Sequence, residues 1–293
     1  MTTLAIRRSA RPLVGALLIT ALALVGACSS DDSASSGDGD GSSTTAAETT
    51  TTEARDLVVL VSNDDGIGAP GIDALVEGLR KVPNTKVIVS APASQQSGTG
   101  GKTTPGGAPA GVDATTASGF PGKAVPGFPA DSVNWALDGG ITEKPDVVIT
   151  GINSGENLGQ FTELSGTVGA ARAAANHGIP ALATSQGVAG TPDYPTGTTL
   201  VLQWLDQRRG DLLAGKYAGS NPAKVWNMNF PNCVPGTTNR GVIEVPVDST
   251  QDPQFQQPDC ASTATNPPSD LAAFKIGFVP LSELSAAAAP PAG

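Results

Sequence analysis

Val58-Val59-Leu60-Val61-Ser62-Asn63-Asp64-Asp65-Gly66-Ile67-Gly68-Ala69-Pro70 decides the reading of the fold. Four aliphatic residues without polar alternation suit a strand covered on both faces, as in a parallel sheet. The run stops on two adjacent acids and then breaks into small residues, so this strand carries Asp64 and Asp65 at its C-terminal tip. Open α/β sheets bind ligands beyond the carboxyl ends of their strands. Taken alone, Ser62 to Gly66 reads equally well as a polar turn, so the surrounding chain must decide.

Downstream, Pro70 is placed to open a helix, and Ile72, Leu75, Val76 and Leu79 recur at helical spacing. A second strand over 86–91 follows, closed by Pro92. Strand, helix, strand is a βαβ unit with two parallel neighbours and a right-handed crossover. The polar loop from Ala93 to Lys102 lacks the spacing of a P-loop. Residues 103–127, rich in Gly, Pro and Ala, read as an irregular excursion, and 129–137 as a short helix. A third strand at 146–150 releases Gly151-Ile152-Asn153-Ser154-Gly155-Glu156-Asn157-Leu158-Gly159 from its tip. Ser165-Gly166-Thr167 then opens a helix that runs to His177 and stops at Gly178. Strands at 181–185 and 224–230 flank a helix at 198–208. Beyond Pro231 only 241–247 and 272–279 read as strands. The expected architecture is a three-layer, Rossmann-like α/β fold with a mostly parallel sheet: a core over 57–231 and an irregular extension over 232–293.

The front of the chain is of another kind. Arg7, Arg8 and Arg11 precede an apolar stretch from Leu13 to Val25 that ends in small residues, the order of a secretory leader over 1–27. It is too short and wrongly flanked for a membrane span. Val25-Gly26-Ala27-Cys28 resembles a bacterial lipobox, which implies a lipidated Cys28 and an extracytoplasmic, membrane-anchored protein. The plainer alternative is an ordinary leader with an incidental cysteine. Residues 28–56 are rich in Ser, Thr, Gly and Asp, contain no aromatic residue, and read as a flexible tether. Of 17 Lys and Arg against 27 Asp and Glu in the 293 residues, 13 and 20 remain from Leu57 onward. Such an acidic domain has no basic footprint for nucleic acid, and an anionic substrate would need a local cation.

Successive strand tips carry Asp64 with Asp65, Ser97 and Asn153. All are hard oxygen donors, suited to one Mg²⁺ or Mn²⁺ that keeps some of its water. His177 is the only histidine. It sits at a helix end, so a Ser-His-Asp triad has one poorly placed candidate, and acyl transfer is disfavoured. Trp135, Trp204 and Trp226 read as core, and Asp131 and Asp146 as capping or solvated residues.

Five ordered motifs resemble the SurE family of survival-protein nucleotidases. They are Ser62-Asn63-Asp64-Asp65-Gly66, the Ala91-Pro92 loop ending in Ser97-Gly98, Gly127-Phe128-Pro129-Ala130-Asp131, Gly151 to Asn157, and Ser165-Gly166-Thr167-Val168. The likeness weakens to Val225-Trp226-Asn227-Met228-Asn229-Phe230-Pro231 and Gly277-Phe278-Val279. It implies a metal-dependent phosphatase of nucleoside 5′- and 3′-monophosphates or other phosphomonoesters. It further implies metal at Asp64, Asp65, Ser97 and Asn153, phosphate at Ser165, Gly166 and Thr167, and a homodimer. Asp64, Asp65 and Asn153 are then the candidate catalytic residues. A helix opened by Ser-Gly-Thr is also an anion site on physical grounds, although a plain N-cap explains the tripeptide as well. The chain departs from the family pattern at Gln160-Phe161-Thr162-Glu163-Leu164, where an acidic and aromatic stretch is usual, and at Phe128 and Ala130, where threonines are common. Both departures bear on substrate choice.

With Cys28 assigned to lipid, Cys233 and Cys260 form an even pair and are expected to be bridged in an oxidising compartment. The reading is thus a metal-assisted phosphomonoesterase. Its rival is a surface-tethered nucleotide- or phosphate-binding protein that has lost catalysis, and the complete donor set favours chemistry.

Overall fold

Alternate residues of the opening strand go to opposite faces of the sheet, and both faces are apolar. Leu57, Val59 and Val61 join one core, Leu60 the other, and all four are fully buried. This is what a central strand between two helical layers requires. In a computed structural model, residues 55–219, 222–248 and 257–287 are described. The expected leader at 1–27, Cys28, and the tether apart from Arg55 and Asp56 lie outside them.

The strands are β1 (Leu57–Ser62), β2 (Thr85–Pro92), β3 (Val112–Thr115), β4 (Pro121–Val125), β5 (Val147–Ser154), β6 (Ala181–Gln186), β7 (Val225–Phe230), β8 (Val242–Glu244) and β9 (Val279–Leu284). They form one sheet in the order β3-β4-β2-β1-β5-β6-β7-β9-β8. Only β3 with β4 and β7 with β9 are antiparallel. The helices are α1 (Pro70–Leu79), α2 (Pro129–Trp135), α3 (Phe161–Leu164), α4 (Gly166–Asn176), α5 (Tyr194–Leu213) and α6 (Asp270–Lys275). A π-helical turn, Ala136–Gly140, continues α2. α1 and α5 cover the face that buries Val59, Ile149, Leu182 and Met228; α2 and α4 cover the face with Leu60, Val148 and Ala183. The second layer packs closely because α4 presents buried Ala170, Ala171, Ala174 and Ala175 to the sheet.

β1 pairs in parallel with β2 on one side and β5 on the other. The chain therefore winds outward from β1 to β2 and returns to the far side of β1 with β5. That reversal opens a crevice at the carboxyl ends of β1 and β5, where an open α/β sheet binds its ligand.

Several expectations are corrected. The stretch 103–127 contains β3 and β4. Their polar, Gly-containing sequences lack strand periodicity, and they are strands because β4 pairs along Ser90–Pro92 of β2. The expected strand at 272–279 is instead α6 followed by β9. Ser269 caps the helix, its side chain accepting from Ala272 N–H, and Gly277 at φ +82° ends it. The strand at 241–247 shrinks to Val242–Glu244, the helix at 198–208 extends to Tyr194–Leu213, and α3 was not expected. β9 pairs with β7, so part of the extension completes the sheet. Cys233 and Cys260 are bridged as expected, with Cα atoms 5.6 Å apart.

Candidate active site

Asn63 closes the turn that exposes the two acids. Its Nδ2 donates to the Gly66 carbonyl at 2.9 Å, and its Oδ1 accepts the Gly66 N–H at 3.2 Å. Gly66 stands at φ +101°, where a Cβ would also press to 3.2 Å from the Ser94 backbone. The Gln96 N–H donates to the Asp64 carbonyl at 2.7 Å, which brings the loop bearing Ser97 onto the tip of β1. This bracing by Asn63 was missed by the sequence reading, although Asn in a short polar stretch ending in Gly is a turn residue whose side chain bonds nearby backbone.

Asp64 is 2% exposed. Thr167 Oγ1 donates to its Oδ1, and the Thr167 N–H supports it as well. Burial pushes the Asp64 carboxyl up to about 6, against the pull of Thr167 and with a smaller push from Asp65. Asp65 is half-buried; its Oδ2 accepts the Ser154 N–H at 3.0 Å, and burial raises its pKa too.

β5 does not stop at Thr150 as expected. Its register against β6 breaks between Thr150 and Asn153, and such an irregularity re-aims a side chain. Gly151, at φ +117°, is required there because a Cβ would lie 2.2 Å from the Thr184 carbonyl oxygen. Asn153 is 7% exposed, and its Nδ2 donates to the Gly155 carbonyl at 2.7 Å. That bond orients the amide and leaves Oδ1 buried without a hydrogen-bond partner. Such an orphan costs about 1–3 kcal/mol and needs a physical reason.

Asp64, Ser97, Asn153 and Ser165 line one cavity of about 270 Å³ at the crevice. Asp65, Gly166 and Thr167 do not line it. Ser165 caps α4 by accepting the Val168 N–H at 3.1 Å. At the start of α4 the Thr167 hydroxyl and N–H are directed at the protein's own Asp64. Gly166 is needed for close approach, since a Cβ there would meet Asp64 Cβ at 2.8 Å. Ser97 is exposed, and its Oγ accepts from Gln95 Nε2 at 3.2 Å. Among the described residues no group of three His, Cys, Asp or Glu could hold a metal. The donor set here is instead two carboxylates with neutral amide and hydroxyl oxygens. That chemistry fits a hard divalent cation, and the orphaned Asn153 Oδ1 fits it independently.

A buried polar network backs the site. The Asn157 carbonyl accepts from Asn227 Nδ2 at 2.7 Å and Asn229 Nδ2 at 3.2 Å, its N–H donates to Asn229 Oδ1 at 2.7 Å, and its Nδ2 donates to Ser185 Oγ at 2.7 Å. Asn227 and Asn229 lie two apart on β7 and so share a face. Arg172 on α4 grips Glu163 of α3 at 2.6 and 2.8 Å, and Asp270 Oδ2 accepts the Gly159 N–H at 2.8 Å. His177 lines a different cavity with Glu143 and Lys144. Trp204 and Trp226 are buried, as expected for core. Asp131 is also buried and takes the capping one of its two expected roles: it accepts the Phe128 and Thr104 N–H groups.

Comparison with known proteins places this geometry in context. The family described as Survival protein SurE matches residues 59–247. A 5′-nucleotidase SurE of Leptospira biflexa serovar Patoc (strain Patoc 1 / Ames) is 39% identical over 190 residues, 61% of this chain and 67% of the relative. A 5′-nucleotidase SurE of Solidesulfovibrio magneticus is 39% identical over 173 residues, 59% of this chain and 64% of the relative. The crystal structure of the Sure protein from Aquifex aeolicus superposes with a TM-score of 0.61 at 24% identity, covering 78% of this chain and 94% of that one. The last likeness establishes the α/β fold.

Proposed function

Since the chain belongs to the survival protein SurE family and is a homologue of 5′-nucleotidase SurE, we propose that it hydrolyses nucleoside 5′- or 3′-monophosphates or related phosphomonoesters with a divalent metal. The observation that carries this reading is the orphaned Asn153 Oδ1 beside Asp64 in the crevice cavity. Asp64, Asp65, Asn153 Oδ1 and Ser97 Oγ would hold Mg²⁺ or Mn²⁺. When bound, the cation supplies Lewis-acid polarisation of a phosphoryl oxygen.

The protein's own groups do the rest. Thr167 holds Asp64 in place through its hydroxyl and N–H, and Gly166 lets α4 come close enough to do so. Asp64, which lines the cavity together with Glu156, accepts the proton of the attacking water as the new P–O bond forms. Ser165 keeps its hydroxyl hydrogen while its oxygen caps α4, and it donates that hydrogen to a phosphoryl oxygen. The N-terminal end of α4 adds positive partial charge where the dianion sits. As the ester P–O bond breaks, the leaving oxygen takes up a proton from water at the open side of the cavity and departs as the alcohol, and Asp64 returns its proton to solvent.

On the sequence of residues 7–28 we also place the mature N-terminus at a lipidated Cys28, outside the cytoplasm. The Cys233–Cys260 bridge supports an oxidising compartment. The resemblance to the family supports a homodimer. The test is turnover of a phosphomonoester panel by the full chain with Mn²⁺, Mg²⁺ or chelator. Metal-dependent release of phosphate is expected. Binding of nucleotide without any turnover would favour the rival, a binding protein that has lost catalysis.

A further inference from the structure

The crevice cavity contains a second buried acid, to which the mechanism gives no part. Glu156 is 5% exposed and lines the cavity with Asp64, Ser97 and Asn153. It stands on a braced loop. Gly155, at φ +133°, donates its N–H to the Gln186 carbonyl at 2.8 Å, and its own carbonyl accepts from Asn153 Nδ2. Two residues past Gln186, the Val188 N–H donates to Glu156 Oε2 at 2.9 Å. The loop that orients the Asn153 amide is thus the loop that carries Glu156, and the end of β6 fixes both.

Its surroundings set Glu156 apart from other buried acids of the fold. Asp131 accepts from the Phe128 N–H and from the N–H and hydroxyl of Thr104; Asp270 accepts from the N–H groups of Gly159, Asp248 and Leu271. Neither lines the crevice cavity. Glu156 has the Val188 N–H and its own, and among the described residues no Lys, Arg or His forms an ion pair with it. Burial raises its pKa against those two donors, so the ionised form is held at a cost that the protein's own groups do not cancel. Buried charges are paired or coordinate metals, and no Lys or Arg lines this cavity to supply the opposite charge.

Resting on the reading of this crevice as a divalent-cation site, we infer that Glu156 is a further residue of that site, whose negative charge helps Asp64, Asp65, Asn153 and Ser97 to hold the cation. Its contribution is charge rather than shape. The same charge opposes a phosphate dianion in the cavity, so Glu156 strengthens metal binding and weakens anion binding. Effects of opposite sign on the two ligands distinguish it from a residue that merely shapes the loop.

Glu156→Gln keeps the size of the side chain and an oxygen for the Val188 N–H, and removes the charge. Calorimetric titration of the chelator-treated full chain with Mn²⁺ should show affinity lowered about tenfold or more, while the melting temperature of the metal-free protein holds or rises. At saturating Mn²⁺ the variant should bind inorganic phosphate at least as tightly as wild type. Glu156→Asp keeps the charge and should recover most of the Mn²⁺ affinity. Asp113→Asn, on the exposed strand β3, removes the same formal charge away from the cavity and should leave affinity unchanged, because salt screens distant exposed charges. Unchanged Mn²⁺ affinity in Glu156→Gln overturns the inference, as does a loss that Glu156→Asp does not restore or that is accompanied by weaker phosphate binding. A wild type with no affinity for Mn²⁺ overturns it together with the cation reading. A wild type that binds Mn²⁺ with the help of Glu156 but hydrolyses no phosphomonoester removes the proposed activity and leaves the role of Glu156 standing.

Discussion

Replacing Asp64 by Asn should make the metal-free protein more stable and the enzyme inactive. Asp64 is 2% exposed, and burial lifts its carboxyl from 3.8 to about 6 even with Thr167 donating to it. Below pH 3.8 the group is protonated in both folded and unfolded chains and has no net effect. Between 3.8 and about 6 the folded state binds more protons than the unfolded one, so stability falls as pH rises; above about 6 the whole cost is present. At 1.36 kcal/mol per pH unit, that cost is about 3 kcal/mol. Asn keeps an oxygen for the Thr167 hydroxyl and carries no charge. Denaturant unfolding of chelator-treated protein, disulfide intact, should therefore show wild type and Asp64→Asn within about 1 kcal/mol at pH near 4, and the variant ahead by about 3 kcal/mol at pH near 8. Added Mn²⁺ should reverse the order by stabilising wild type alone. An Asn variant no more stable than wild type at the higher pH, with equal denaturant slopes, would refute the claim that this carboxylate is held at a cost for function.

Three further expectations follow from the same geometry. Asn153→Ala removes the orphaned oxygen, so Mn²⁺ affinity by calorimetry should fall at least about tenfold while the melting temperature holds or rises; unchanged affinity would detach Asn153 from the metal. Thr167→Ala should lower kcat/KM and metal affinity together, because its hydroxyl donates to Asp64, and Thr167→Ser should restore both; loss of kcat/KM with metal affinity intact would place Thr167 on the phosphate. The Cys233–Cys260 bridge spans 27 residues, so Cys233→Ser with Cys260→Ser should lower unfolding free energy by about 3 kcal/mol, and an unchanged denaturation midpoint would count against that restraint.

A good part of this was legible in the chain itself. Apolar runs marked β1, β2 and β5, and helical spacing from Pro70 marked α1, because burial on both faces or on one stripe dictates residue type locally. Hard oxygen donors at strand tips pointed to the crevice for the same reason: a parallel sheet sends those tips to one edge. With Cys28 set aside by its resemblance to a lipobox, Cys233 and Cys260 were left as the pair to bridge.

Tertiary structure decided what depends on partners distant in sequence. β3, β4 and β9 are strands through pairing and not through composition, and Pro280 inside β9 argued against it. That the N-terminal end of α4 serves Asp64 directly follows from a glycine-sized approach at Gly166, a distance no spacing rule encodes. The orphaned Asn153 Oδ1 exists because a register break turns one side chain and Gly155 claims the other half of its amide. Sequence names the donors available; only the packed chain determines which of them are already satisfied, and of the buried polar atoms left without a partner among the described residues, Asn153 Oδ1 is the one whose residue lines the crevice cavity.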